Sequence, residues 1–143
     1  MLLLDTNVIS ELRKVRIGRA DPNVAKWTET LVTANLFISA VTIQELEIGV
    51  LLAERRDPAQ GSILRKWLEA LVLPAFEGRI LPLDVAVARR AAKLHVPDAQ
   101  PINDAVIAAT ALVHGMTVTT RNLRDFASMG VPLLNPRDAI HGQ

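Results

Sequence analysis

Four separated places along the chain carry acids or amides in settings that suit chemistry. Asp5 closes the first apolar run of "MLLLDTNVIS", Glu45 stands in "ISAVTIQELEIG", and Asp104 in "PINDAVIAAT". Thr120, Arg121 and Asn122 end the run "MTVTT" and continue just beyond it. Taken singly, each acid has an ordinary explanation. Asp terminates strands and starts turns. Glu45 lies three residues after Thr42, the spacing of a capping box. Asp104, near a helix start, complements the helix dipole. Together they mean something else, because three carboxylates in one crevice disfavour each other's ionised forms unless a cation offsets them. Oxygen ligands without thiolates suit a hard ion, Mg²⁺ or Mn²⁺, which takes one or two carboxylates and keeps water and substrate phosphate for its other positions. Such a site activates a water for in-line attack on a phosphodiester. That is nuclease chemistry.

The elements needed to bring these places together are legible as alternating patterns. "MLLL" is a short continuous apolar run, as in a central parallel strand buried on both faces, and "LFISAVT" fits the same description. "MTVTT" and "VPLLN" supply a third and a fourth strand. Helices lie between them. "DPNVAKWTETLV" starts with Asp21 as N-cap and Pro22 at the first helical position, and "TIQELEIGVLLAE" carries the Thr42 and Glu45 capping-box pair. "DPAQGSILRKWLEALVL", "DVAVARRAAKLH" and "PINDAVIAATALVHG" follow, the last stopped by Gly115. The Pro, Gly and Arg residues of "RKVRIGRADP" and "HVPDAQP" read as exposed connections. Strands joined through helices imply right-handed crossovers and an α/β fold, with a mainly parallel sheet of four to five strands flanked by helices. Ligands of such sheets collect beyond the carboxyl ends of the strands. That rule sends Asp5, Glu45 in the first turn of its helix, Asp104 and the "TRN" segment to one edge.

Composition narrows the classes further. At 143 residues and 50% hydrophobic content the chain is expected to form a single domain, residues 1–143, with a full core. A net charge of +1 supplies no general pull on a polyanion, so any such binding must be local. There are no cysteines, which excludes disulfides, thiolate zinc sites and thiol nucleophiles and fits a reducing interior. Asp5 interrupts the opening apolar stretch, no uncharged run approaches membrane length, and a cytoplasmic location is expected. Aromatic content of 3% without Tyr argues against a stacking platform for single strands. Arg13, Lys14, Arg16 and Arg19 are read as a basic run near the acidic edge, with Arg13, Lys14 and Arg121 the candidates to meet RNA phosphates. His95, His114 and His141 lack ligand spacing, and Trp27 and Trp67 are read as core. Ser39 and Thr42 are explained by caps and turns.

The motifs in order, "LLLDTNVISE", "ISAVTIQELEIG", "INDAVIAATA" and "TVTTRNLRDF", resemble the PIN-domain ribonucleases, particularly the VapC and FitB-like toxins of bacterial toxin-antitoxin pairs. The resemblance runs from residue 1 to residue 126. It implies a PIN fold whose acids Asp5, Glu45 and Asp104 bind Mg²⁺ or Mn²⁺ for RNA cleavage. Thr6 and Asn7 match the polar pair after the first acid, with Asn7 orienting Asp5 or a metal water. Many family members carry a further acid just after the third strand, where this chain has Asn122. An amide accepts from a metal water but brings no charge, so a second metal would be held more weakly. Asp125, three residues on, either assists or pairs with Arg121 or Arg124, and ranks below Asn122; Thr120 is supporting. The resemblance also implies a homodimer and a small VapB-like antitoxin whose C-terminal segment covers the groove. Two rivals remain. A haloacid-dehalogenase type of phosphatase wants a second Asp where Asn7 stands, and a phosphate-loop switch lacks its "GxxxxGK[ST]". The reading from another class is a catalytically weak or inactive PIN-like module that binds RNA or protein without cutting.

Overall fold

The computed structural model describes residues 1–138, so His141 lies outside the described residues. The chain begins with β1 (Leu2–Leu4), α1 (Thr6–Arg16), α2 (Pro22–Thr28) and β2 (Leu36–Ser39). Then come α3 (Ala40–Arg56) and α4 (Pro58–Trp67), which passes through a π-helical turn at Leu68–Val72 into α5 (Leu73–Ala75). β3 (Ile80–Leu81), α6 (Val85–Leu94), α7 (Ile102–His114), β4 (Thr117–Thr119), α8 (Leu123–Phe126) and β5 (Leu133–Leu134) complete it. The strands pair in the order β3-β2-β1-β4-β5, every pair parallel. The α/β reading with a parallel sheet therefore holds. β3 is a strand that no apolar run announced.

The opening "MLLL" is the centre of the sheet. Leu3 lies opposite Phe37 of β2 and Val118 of β4. Because successive strand residues face opposite sides, Leu3 and Leu4 enter different cores. Leu3 joins Val87, Ala91, Ile107 and Val118 beneath α6 and α7. Leu4 joins Val8, Ile9, Trp27, Ile38, Leu46 and Val50 beneath α1, α2 and α3. A charged or small residue at either position would open a hole in a layer that has no solvent access.

Helix ends follow the local chemistry. The Asp21 side chain accepts from the backbone N–H of Asn23 and Val24, Asp57 from Gln60, and Asp84 from Val87. Gly115 stops α7 at φ +67°, a conformation a side chain would resist. Two expectations about boundaries fail. "LFISAVT" is not strand throughout, because Ser39 Oγ accepts from the N–H of Val41 and starts α3 at Ala40. "AVT" is thus helical, the strand propensity of the β-branched Val41 and Thr42 overridden by a cap and by packing. Thr42 is consequently buried inside α3, the Thr42 and Glu45 capping box does not form, and Glu45 sits in the second turn. The second failure is "RKVRIGRADP", whose first part is the end of α1. Its Arg and Lys residues complement the carbonyl end of that helix, and Gly18 at φ +75° follows. Only the residues around Gly18 and Arg19 connect.

Candidate active site

The sheet order places a topological switch between β1 and β4, neighbours whose onward connections lead to opposite sides. The helices diverge there and leave a crevice at the carboxyl ends. Asp5 and Thr120 are the first residues past those two strands. The ladder continues one step, Asp5 donating its N–H to the Thr119 carbonyl at 2.9 Å, so Asp5 is set by the sheet and not by a mobile loop. α3 starts at the same edge after β2 and brings Glu45. α7 must end where β4 begins, so its first turn, with Asp104, lies at the carboxyl edge as well. The result is a cavity of about 280 Å³ lined by Asp5, Thr6, Asn7, Glu45, Asp104, Asn122 and Asp125.

Asp5 is only 7% exposed and its carboxylate is held from three directions. Oδ1 accepts from the Thr6 backbone N–H at 2.8 Å, as the N-cap of α1. Oδ2 accepts from the Thr120 hydroxyl at 2.8 Å and from Asn7 Nδ2 at 3.3 Å. Thr120 Oγ1 in turn accepts from the Asn122 N–H at 3.0 Å, which ties the segment after β4 to the first acid. The Thr6 hydroxyl donates to Glu45 Oε1 at 2.6 Å and so aims the second acid from α1. Asn7 links the two sides again, its Oδ1 accepting from the Arg121 N–H at 3.2 Å.

Burial pushes the Asp5 carboxyl above its ordinary 3.8, opposed by the Thr120 and Thr6 hydrogen bonds and aided by the charges of Glu45 and Asp125. Asp104 is pushed up to about 6, first by burial and then by the charges of Asp5, Asp125 and Glu45. Desolvation therefore leads and mutual repulsion adds to it, where repulsion alone was expected. Asp104 itself receives no hydrogen bond among the described residues. Its charge waits for a partner. No three acidic or imidazole groups among the described residues are placed to hold one ion, so a cation here would draw one or two carboxylates directly and complete its shell with water, as Mg²⁺ ordinarily does. The donors are all oxygen and suit a hard ion.

The structure brings Asp5, Thr6, Asn7, Glu45, Asp104, Asn122 and Asp125 onto one wall, with Thr120 directly behind Asp5. Both candidates after β4 reach it. Asn122 lines the cavity without charge, whereas Asp125 lines it and its charge reaches both Asp5 and Asp104. One turn of α8 accounts for this, since residues three apart share a helix face. Asp125 makes no ion pair with Arg121 or Arg124 among the described residues, because Arg121 Nη1 donates to Glu11 Oε2 at 2.7 Å.

The basic run does not lie near the acidic edge. Arg13 and Lys14 stand seven and eight residues beyond Thr6 on α1, roughly 10–12 Å along its axis and so away from the acidic edge. Arg13 lines an apolar groove with Trp67 and Phe76, and Lys14 approaches Glu11 at 3.6 Å. Trp67 is only half-buried in that groove, while Trp27 is core as read. Glu11, 3% exposed, went unnoticed in the sequence. A signal existed: it interrupts the apolar stripe of Val8, Leu12 and Val15 at helical period. His95 and His114 cap or end their helices, as expected. No helix among the described residues is long and apolar enough to cross a membrane.

The profile of the PIN domain matches residues 2–132. The VapC ribonuclease Y4jK of Sinorhizobium fredii is 39% identical over 141 residues, covering 95% of this chain and 97% of that one. Toxin FitB of Neisseria gonorrhoeae is 40% identical over 144 residues, covering 95% and 98%. The crystal structure of FitAcB from Neisseria gonorrhoeae superimposes with a TM-score of 0.85 at 36% identity, covering 95% of this chain and 98% of that one.

Proposed function

The chain belongs to the PIN-domain family, and from that premise we propose that it is the toxin of a toxin-antitoxin pair, an Mg²⁺- or Mn²⁺-dependent endoribonuclease. One observation carries this reading: a solvent-open cavity at the topological switch is lined by four carboxylates, of which Asp104 is held at about 6 with no cation beside it among the described residues. A structural cluster would be paired; this one is left for a ligand.

In this reading Asp5, Glu45 and Asp104 surround the metal, one or two of them bound to it directly and the rest through its waters. Bound there, Mg²⁺ or Mn²⁺ supplies an activated water and offsets charge on the transferring phosphate. Asp5 is fixed by Thr6, Asn7 and Thr120, so its free lone pairs keep one direction. Thr6 turns Glu45 inward. Asp125 supplies the fourth carboxylate and Asn122 an uncharged acceptor for water on the same wall. The partner is an antitoxin whose C-terminal segment covers this groove, the substrate is RNA, and the chain works in the cytoplasm as a homodimer. Ile48, Leu51 and Leu52, exposed on α3 at helical spacing, are an apolar face for a second copy.

End-labelled RNA incubated with the antitoxin-free protein tests the reading. Cleavage is expected with Mg²⁺ or Mn²⁺, and is lost with chelator and in Asp104→Asn. Asp125→Asn should lose far more activity than Asn122→Ala; the reverse order would return the fourth place to Asn122. The non-cutting module rests on Asn122, and the charge of Asp125 weakens it. An RNA panel left whole by a protein that binds Mn²⁺ would favour the module.

A further inference from the structure

Arg121 is positioned to interfere with the site it adjoins. It follows Thr120, whose hydroxyl donates to Asp5, and its own N–H donates to Asn7, which donates to Asp5 in turn. The Arg121 backbone is thus tied to the wall of a cavity lined by Asp5, Glu45, Asp104 and Asp125, and a guanidinium turned toward that cavity would stand beside those acids. A cation that close favours the ionised acids and would neutralise them by itself. It would then stand where a divalent ion has to bind.

Glu11 is what draws it elsewhere. The Glu11 side chain is 4% exposed, and Oε2 accepts from Arg121 Nη1 at 2.7 Å while Oε1 accepts from the Asp21 N–H at 3.2 Å. Lys14, half exposed and at 3.6 Å, is a loose second partner. Glu11, 3% exposed, is more buried than any of the cavity acids, and unlike Asp5, which is 7% exposed and already accepts from Thr6, Asn7 and Thr120, it has a charged donor in Arg121, so it gains most from that fixed positive charge. We propose that Glu11 is a positioning residue whose buried carboxylate holds the Arg121 guanidinium out of the acidic cavity and so leaves that cavity to a divalent cation. This rests on the metal-dependent reading above.

The test is Mn²⁺ binding by the full-length, antitoxin-free chain, read from the electron paramagnetic resonance of free Mn²⁺. Four proteins are compared: wild type, Glu11→Gln, Arg121→Gln and the double variant. Gln keeps the volume of Glu11 and still accepts from Asp21, so the change is in the charge that Arg121 meets. Glu11→Gln should weaken Mn²⁺ binding on the order of tenfold, the effect of one pKa unit from an adjacent opposite charge. Removing Arg121 as well should restore affinity to within about twofold of wild type. A Glu11 that matters only for folding predicts no such rescue, and a double variant as weak as the single would overturn the proposal. Equal affinity of wild type and Glu11→Gln would overturn it too. A wild type that binds no Mn²⁺ fails at an earlier step, the metal reading itself, and takes this inference with it. Should Glu11→Gln not fold, Glu11→Asp replaces it, its carboxylate withdrawn by one methylene, with a smaller weakening that Arg121→Gln again relieves.

Discussion

Replacing Asp104 by Asn should stabilise the metal-free protein, and only at pH values where Asp104 is charged. The carboxyl titrates near 3.8 in the unfolded chain and at about 6 in the folded one. Between those values the folded state binds more protons, so its stability falls as pH rises, and the loss is complete above about 6. Asn has the same shape and no charge, and no hydrogen bond to Asp104 is broken by the change. A shift of about two units corresponds to about 3 kcal/mol if fully expressed, and solvent contact at this half-buried site reduces it to about 1–1.5 kcal/mol. Urea unfolding in chelator at pH 4, 6 and 7.5 reads this directly. The variant and wild type should agree at pH 4, and the variant should lead at pH 7.5. Added Mn²⁺ should then reverse the order, because a ligand that binds only the folded wild type at a hundred times its Kd adds about 2.7 kcal/mol. An Asp104→Asn protein no more stable at pH 7.5 than wild type, or one equally ahead at every pH, would refute the account of a desolvated, unpartnered carboxylate.

Thr120→Val removes the hydroxyl that donates to Asp5 and accepts from Asn122, so the Asp5 carboxyl should rise further. The acid limb of the pH profile of RNA cleavage should move to higher pH, and stability should fall by about 1–2 kcal/mol; an unmoved limb contradicts the role given to Thr120. Gly61→Ala should pry α3 from α4, because an added Cβ would lie 2.5 Å from Glu54 Cα and 2.7 Å from its nitrogen. A cost of about 1–3 kcal/mol is expected in thermal unfolding, and an unchanged midpoint would show that the hairpin yields freely. Leu4→Ala, in the layer under α1 and α3, should cost about 2–5 kcal/mol in urea unfolding, and a loss below about 1 kcal/mol would mean that this core collapses around the gap.

The sequence by itself determined the strand-helix alternation, the parallel class of sheet and the three acids. Those are local facts: continuous apolar runs, Asp-Pro helix starts, a Gly at the left-handed end of α7, and carboxylates at element ends. The family was legible as well, because four short motifs in fixed order constrain far more than any one of them. What only the tertiary structure decided were the contacts between residues distant in the chain. Asn122 ranked above Asp125 on sequence position, and one turn of α8 brings both to the cavity, where the charge of Asp125 acts on Asp5 and Asp104. Arg13 and Lys14 read as a loop by the site, until α1 carried them along its axis. Arg121 read as a cation for RNA, and only the fold pairs it with a buried Glu11, 110 residues away in the chain. Pattern reports which face a residue takes within its own element, and pairing across elements depends on crossing geometry and burial, which no local pattern encodes.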